Sequence, residues 1–281
     1  MSLEYSWSWN QSDIPGLRSR STSIFTANQW NTDGRPVRLG VFWNRTYTYL
    51  NSNEFRYSFS VFPEQVDDRL GRGTGDFQVP LRGAANFSYN TDVTQALSYS
   101  ARISFDQDDL GSSRSSAAAG ITWRPNDRFS FALNLRYEDR EALLVHRGEG
   151  NYISYESHQW SPRLETNYFI TAKQQFRISL QWIALKAFED RYWKVDPGKL
   201  GALQPVLDPA AANANFAINR LTFQARYRWE IPPLSDLFLV YTRGNSLPSN
   251  QFDEFSGLVR RAWNTPIVDS VAVKLRYRFG S

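Results

Sequence analysis

The ten residues LTFQARYRWE, positions 221 to 230, alternate apolar and polar side chains without a break. In an extended chain Leu221, Phe223, Tyr227 and Trp229 fall on one face, and Arg226 falls on the other with the polar residues. In a soluble protein the apolar face of such a strand packs inward. In a membrane β-barrel the apolar face meets lipid and the polar face lines the interior. The alternation therefore predicts a strand and leaves its environment open.

The same period recurs along the chain and predicts an all-β, antiparallel architecture. No stretch approaches the ~20 apolar residues of a membrane-spanning helix, and the one candidate for an amphipathic helix is a short segment at 251–263. Cysteine is absent, which excludes a disulfide framework, and 32 basic against 28 acidic residues give no indication of nucleic-acid binding. Strands are predicted at 2–10, 18–30, 36–49, 54–61, 78–90, 97–106, 115–124, 128–138, 152–171, 175–190, 221–230, 235–243 and 270–279.

The links between these strands alternate between short and long. Short, turn-like links are expected at 50–53, 90–95, 124–127, 171–175 and 230–236, and long links at 66–77, 106–114, 146–151, 190–215 and 244–269. Alternate links of an antiparallel barrel lie at opposite ends, so one end would carry tight turns and the other long loops. Outer-membrane barrels have this asymmetry, with short periplasmic turns and longer extracellular loops.

Aromatic residues near the short links are typical of an interfacial girdle. They are Tyr47, Tyr49, Trp123, Tyr227, Trp229, Tyr277 and Phe279. We therefore predict a transmembrane antiparallel up-and-down β-barrel of about 12–14 strands, in the outer membrane of a Gram-negative bacterium and surrounded by its lipid.

The strand count is about thirteen, whereas bacterial single-chain barrels have even numbers. Residues 1–281 are expected to form one domain. Three explanations of the odd count stay open: residues 2–10 lie outside a twelve-stranded barrel, one segment is assigned wrongly, or the chain is the C-terminal module of a longer protein.

The segments FAINRLTFQARYRWEIPPLSDLFLVYTRG (216–244) and PIVDSVAVKLRYRFGS (266–281) resemble the C-terminal end of a known group. These are uncharacterised bacterial outer-membrane proteins in which a carbohydrate-binding-module-like domain precedes a C-terminal β-barrel. The resemblance covers roughly the last 70 residues and implies an outer-membrane barrel with a periplasmic N-terminal domain or partner. The chain departs from the usual aromatic C-terminus of barrels, because Gly280 and Ser281 follow Phe279.

Motifs with direct chemical meaning are few. His158 has Ser154, Glu156 and Ser157 near it in sequence, but YISYESHQW lacks a nucleophile-elbow pattern, so an enzyme is not expected. Asp106, Asp108 and Asp109 lack the spacing of a calcium loop, and the glycine-rich segment 69–77 lacks the Lys-Ser/Thr of a phosphate loop. No cofactor or metal is predicted.

The remaining candidate site is the polar face of the strands. Its proposed lumen-lining residues are Arg56, Arg102, Arg124, Arg128, Arg136, Arg163, Arg177, Arg226, Arg228, Lys274, Arg276, Arg278, Glu54, Glu138, Glu165 and Glu230, joined by Asp106. The proposed lipid-facing residues are Leu221, Phe223, Tyr227, Trp229, Val271, Val273, Leu275, Tyr277 and Phe279.

The excess of arginine on the polar face predicts a channel or uptake component for small solutes, porin-like and weakly anion-preferring. The alternative is a cross-strand ion-pair lattice that fills the interior of a non-conducting membrane anchor or scaffold for a periplasmic or surface partner. An outer-membrane hydrolase or acyltransferase is the third and weakest hypothesis.

Overall fold

In the computed structural model the described residues are 2–9, 14–70, 76–195, 201–207, 214–231, 235–249 and 253–277. They form eighteen strands and one helix, and the all-β expectation is confirmed. The pairing is antiparallel, as expected, except where a two-residue strand of the small sheet described below pairs in parallel. The strands are β1 (Ser2–Trp9), β2 (Leu17–Trp30), β3 (Pro36–Tyr49), β4 (Glu54–Phe62), β5 (Gln65–Asp67), β6 (Phe77–Val79), β7 (Arg82–Asn90), β8 (Leu97–Gln107), β9 (Ser113–Asn126), β10 (Phe129–Gly148), β11 (Asn151–Trp160), β12 (Arg163–Thr171), β13 (Gln174–Lys194), β14 (Gly201–Ala202), β15 (Gln204–Val206), β16 (Phe216–Ile231), β17 (Ser235–Ser249) and β18 (Val268–Arg276); the helix is α1 (Phe255–Asn264).

One large antiparallel sheet contains most of these strands in the order β1-β2-β3-β4-β7-β8-β9-β10-β11-β13-β16-β17-β18. β12 continues the line of β11, because both strands pair with β10 on one side and β13 on the other. The predicted strand at 152–171 is thus interrupted at Ser161 and Pro162, where proline has no N–H to donate to the ladder. Counting β11 and β12 together, thirteen strands stand side by side, as the period predicted.

Each long strand pairs with the long strand before it in sequence, so the sheet is an up-and-down meander. One end of the sheet, the short-link end, carries the links at 50–53, 91–96, 127–128, 172–173 and 232–234. The other, the long-link end, carries the links at 63–81, 195–215 and 250–267. The predicted asymmetry is present, but it is not strict.

The link at 146–151 was expected to be long, and this prediction is wrong. β10 and β11 are joined by Glu149 and Gly150 alone, which both adopt positive φ, of 50° and 73°. Two successive residues with positive φ make the tight turn whose twist matches a β-hairpin. The polar and glycine-rich sequence here marks a turn between the 20-residue strand β10 and the 10-residue strand β11.

Two of the long links meet and build a second, three-stranded sheet in the order β14-β6-β5. The predicted strand at 78–90 is therefore divided: β6 belongs to the small sheet, Pro80 and Leu81 intervene, and β7 belongs to the large one. Its apolar core joins Phe77 and Val79 of β6 to Tyr152, Val195 and Leu203. The small sheet is thereby fixed to the tall β10–β11 hairpin.

The short candidate helix at 251–263 corresponds to α1, which spans Phe255–Asn264. Leu258 and Ala262 are fully buried against Trp182 and Leu221, on the apolar side of β13 and β16. The helix is also held by polar bonds, since the Asn219 amide donates to the Leu258 carbonyl at 2.7 Å. The described residues contain no helix long and apolar enough to cross a membrane.

Candidate functional site: an arginine-rich polar face

The two faces of the large sheet differ in chemistry and in exposure. We call the face that carries Thr222, Gln224 and Arg226 the polar face, and the opposite one the apolar face. In β8 the apolar-face residues Tyr99, Ile103 and Phe105 are 50%, 49% and 54% exposed. The polar-face residues of the same strand, Ser98 and Ser104, are 6% and 7% exposed. In β8 burial is therefore the reverse of that in a soluble sheet, where apolar side chains are the buried ones. In β16 the polar-face residues Thr222, Arg226 and Arg228 are exposed, while Leu221 on the apolar face is buried.

A cavity of about 490 Å³ lies on the polar face. Side chains of five successive strands in the sheet line it, which requires the sheet to curve around this face. Four of them are arginines, namely Arg124 of β9, Arg163 of β12, Arg177 of β13 and Arg226 of β16. All four are exposed to solvent, so the cavity is a wet space with a strongly basic wall.

Among the described residues that line this cavity, Glu165 is the only carboxylate. It pairs with Arg163, whose Nε lies 2.8 Å from Oε1. Arg226 donates to the Gln224 side-chain oxygen at 2.5 Å, and Arg124 donates to the Val93 carbonyl at 3.2 Å. Within the described ranges, no carboxylate forms an ion pair with Arg124, Arg177 or Arg226.

Arg177 and Arg226 stand directly opposite each other in the pairing of β13 with β16. Like charges in this arrangement destabilise a sheet. Two unit charges 4 Å apart repel by about 1 kcal/mol in bulk water and by about 4 kcal/mol at an effective dielectric constant of 20. The pair is tolerable because both guanidinium groups reach water, and a bound anion would relieve the repulsion.

A second cluster on the polar face centres on Glu138 of β10. Its carboxylate accepts from Arg114 at 2.9 Å, from Arg136 at 2.8 Å and from Arg140 at 2.5 Å. The Glu138 side chain is 7% exposed, while the three arginines are 26–46% exposed. Arg114 belongs to the neighbouring strand β9 and the other two arginines belong to β10 itself, so these charge-assisted bonds join β9 to β10.

A third cluster lies at the short-link end, around Asp236 of β17. Arg228 of β16 bonds its Oδ1 at 2.9 Å, and Arg276 of β18 pairs with its Oδ2. Asp236 is almost fully buried, so one carboxylate links three adjacent strands.

The other predicted lumen residues are distributed as follows. Arg56 pairs with Glu54 at 3.1 Å, both within β4. Arg102 and Lys274 project from the same face without lining the cavity. Glu230 follows Arg228 at the end of β16, and Asp106 of β8 is the register partner of Arg114. Arg278 and Phe279 lie outside the described residues.

Arg128 was predicted to lie on a strand, and this is wrong. It belongs to the two-residue turn between β9 and β10, because β10 begins only at Phe129. There it lines a second cavity of about 480 Å³ at the short-link end, together with Arg124, Asp127 and Asn167.

Sequence reasoning missed three important members of the face: Arg114, Arg140 and Asp236. Arg114 and Arg140 continue the polar alternation of β9 and β10, so extending those two strands would have found them. Asp236 was assigned to a turn because of the prolines before it.

Some of the predicted lipid-facing residues are buried by other parts of the protein. Leu221 is on the apolar face but only 2% exposed, because α1 lies over it, and Phe223 contacts Trp263 of α1 with ring centroids 5.4 Å apart. Leu221 is therefore packed against protein. Trp229, Val271, Val273, Leu275 and Tyr277 are between 38% and 70% exposed, and Tyr227 is half-buried between strands.

The surroundings of His158 do not form a nucleophile–base pair. Its Nδ1 lies 3.5 Å from Asp139 and 3.3 Å from the Tyr137 hydroxyl, and its Nε2 lies 3.6 Å from Glu156. Ser154 donates instead to Asp190 at 2.9 Å. Across the described residues, no serine hydroxyl is hydrogen-bonded to His158, as a serine hydrolase would need.

The acidic segment at 106–109 has a structural role. Asp108 accepts the backbone N–H groups of Leu110 and Ser112, at 3.0 and 3.2 Å, and so closes the β8–β9 turn. Burial raises the pKa of Asp108 to about 6. Where the chain is described, no group of three or more His, Cys, Asp or Glu is arranged to hold a metal ion. The glycine-rich segment 69–77 falls partly outside the described residues.

Comparison with known proteins gives one match. The model of the family described as "Domain of unknown function (DUF5916)" matches residues 16–279. No curated protein matches the chain, and no solved structure does. Because the family model covers nearly the whole sequence, the chain belongs to the DUF5916 family.

Proposed function

We propose that this chain forms an outer-membrane β-barrel whose polar face surrounds a water-filled path for small solutes, with a weak preference for anions. The resemblance of the C-terminal segments to outer-membrane proteins that carry a carbohydrate-binding-module-like domain agrees with this proposal. The long-link end would face the cell exterior and the short-link end the periplasm.

The observation that carries the proposal is the reversed burial of the two faces along β8. A sheet that leaves Tyr99, Ile103 and Phe105 half exposed while hiding Ser98 and Ser104 is unfavourable in water. The same sheet is favourable when lipid covers the apolar face.

The height of the apolar band also supports a membrane. Along β10 the band begins at Phe129, which contacts Trp123 and Tyr168, and reaches Tyr137, which contacts Trp160 at 5.0 Å between ring centroids. Residues 129 and 137 are eight positions apart, or roughly 27 Å along a strand. A strand tilt of about 40° reduces this to roughly 20 Å, close to the ~25 Å apolar band of outer-membrane barrels.

The second candidate function is a non-conducting scaffold, and the clusters around Glu138 and Asp236 favour it. Both join adjacent strands on the polar face, as expected of a lattice that fills a barrel. Three exposed arginines of the 490 Å³ cavity favour the path instead. Arg124, Arg177 and Arg226 form no ion pair within the described ranges, and their guanidinium groups stay charged and hydrated.

Reconstitution of the purified protein in a planar bilayer under a KCl gradient tests the proposal. We expect single-channel conductance and a reversal potential that favours chloride, since a basic pore wall disfavours cations. The Arg124→Gln, Arg226→Gln double variant should shift the potential toward zero. Arg69→Gln, which removes a charge from the 80%-exposed side chain of a long link, should leave it unchanged.

Three outcomes would change the interpretation. A cation-selective conductance would contradict the assignment of the arginines to the path. No conductance from folded protein would favour the scaffold. Protease that cuts the link at 232–234 from outside intact cells would reverse the orientation.

A further inference from the structure

The cavity lined by Arg177 and Arg226 has the features of a specific anion site. We propose that it binds a small oxyanion with two or more negative charges, of which a phosphate group is the type. This inference rests on the proposed function, because it takes the polar face to be the solute path, and it names the class of solute recognised there.

The first support is the comparison with the other basic clusters on the same face. Arg114, Arg136 and Arg140 share the carboxylate of Glu138, and Arg228 and Arg276 share that of Asp236. Each of those clusters already contains its anion. The described part of the cavity wall has four arginines and one carboxylate, that of Glu165, which is bonded to Arg163.

The second support is the register. Arg177 and Arg226 are direct partners across β13 and β16, and Asn167 is the direct partner of Arg177 on β12. An oxyanion between the two guanidinium groups would replace repulsion with two charge-assisted contacts. Guanidinium groups present paired N–H donors that match the oxygens of phosphate or carboxylate, whereas chloride is a single-point acceptor.

The third support is the neutral wall of the cavity. Thr222, Gln181 and Ser179 line it beside the arginines. Their hydroxyl and amide groups can bond the remaining oxygens of a phosphate or the hydroxyls of an attached sugar. A volume of about 490 Å³ suits a small organic solute.

Isothermal titration calorimetry of the full chain, folded in uncharged detergent, tests the proposal with inorganic phosphate and pyrophosphate as probes and chloride as the background salt. We expect saturable binding that is tighter for pyrophosphate. Arg177→Gln and Arg226→Gln should each weaken it by about tenfold or more, since each removes a charge-assisted contact.

The control is Arg102→Gln, which removes the same charge from the same face outside the cavity. It should leave the affinity within about twofold of the parent, because it changes only the long-range field. Circular dichroism and the heat-dependent gel shift of each variant establish that it is folded before titration.

Several results would overturn the inference. The first is the absence of saturable heat when the folded parent protein is titrated with millimolar pyrophosphate. The second is an equal affinity for pyrophosphate in the parent and the Arg177→Gln variant. The third is an equal loss of affinity in Arg177→Gln and Arg102→Gln. The channel proposal fails separately: a protein that binds pyrophosphate and does not conduct keeps the anion site and loses the path. A protein that conducts, with a current insensitive to pyrophosphate, keeps the path and loses the site.

Discussion

Replacement of Leu135 by arginine separates a lipid environment from a water environment for the apolar face. Leu135 lies on β10, two positions above the midpoint of the span from Phe129 to Tyr137, and its side chain is 40% exposed. If this face meets water, the substitution removes partial packing, which the arginine stem partly restores. The free energy of unfolding would then fall by about 1 kcal/mol or less.

If the face meets lipid, a charge enters the hydrocarbon. Arginine on the lipid face of a barrel costs about 2–4 kcal/mol at the midplane and about 0–1 kcal/mol near the interfaces. Two residues correspond to roughly 5 Å of height on a tilted strand, so we expect a loss of about 2–3 kcal/mol. The neighbouring exposed residue Asn134 points to the opposite face, and Asn134→Arg should cost less than about 1 kcal/mol.

The assay is reversible folding into phospholipid vesicles from guanidinium chloride, followed by tryptophan fluorescence. The midpoint and slope of each transition give the free energies of the parent, Leu135→Arg and Asn134→Arg proteins. Equal losses from the two substitutions, or a larger loss from Asn134→Arg, would refute the reasoning and place lipid away from the apolar face.

Three further predictions concern other parts of the molecule. Leu258→Ala should lower the free energy of unfolding by about 2–5 kcal/mol, because it leaves a cavity under α1. It should also make the helix sensitive to protease. Val259→Ala changes an exposed position and should have neither effect. Glu138→Gln should cost about 1–3 kcal/mol in a denaturant titration, because it leaves three arginines without their carboxylate. Glu54→Gln, which breaks a half-exposed pair, should cost less than about 1 kcal/mol. The raised pKa of Asp108 means that its contribution to stability is fully present below pH 4 and is lost as pH rises through about 6. Hydrogen exchange in the β8–β9 turn, corrected for intrinsic rates, should thus show weaker protection at pH 7 than at pH 5, and Asp108→Asn should remove the difference.

The strands were predictable because their signal is local. A period of two over eight or more residues identifies a strand wherever it occurs, and the predicted strands 36–49 and 54–61 agree with the structure to within one residue. The break at Pro162 was not predicted, although proline is a local signal too, because both flanking segments keep the alternation.

The partners of the charged residues were less predictable, because they depend on register. The alternation places Glu138 on the polar face, but pairing across strands decides that Arg114 of β9 reaches it. In the same way Arg177 could be assigned to a face from sequence, whereas its position opposite Arg226 follows only from the alignment of β13 with β16.

The packing of α1 on Leu221 was the least predictable feature. Alternation alone predicts that the strand containing Leu221 faces lipid, and the amphipathic pattern of 251–263 indicates a short helix. Nothing local to either segment says that Leu258 packs on Leu221, since this contact joins residues far apart in the chain. The small sheet of β5, β6 and β14 was not predicted either, because it too joins segments that are far apart in the chain.

The central claim is that the apolar face meets lipid while the polar face meets water. The most direct test is a nitroxide scan along β10, from residue 130 to residue 138, in vesicles; the chain contains no cysteine, so each introduced cysteine carries the only label. We expect labels at odd-numbered positions such as Leu133 and Leu135 to be accessible to oxygen dissolved in the bilayer, and labels at even-numbered positions such as Ala132 and Asn134 to be accessible to a water-soluble nickel complex. Alternation in the opposite phase, or water accessibility at every position, would contradict the claim.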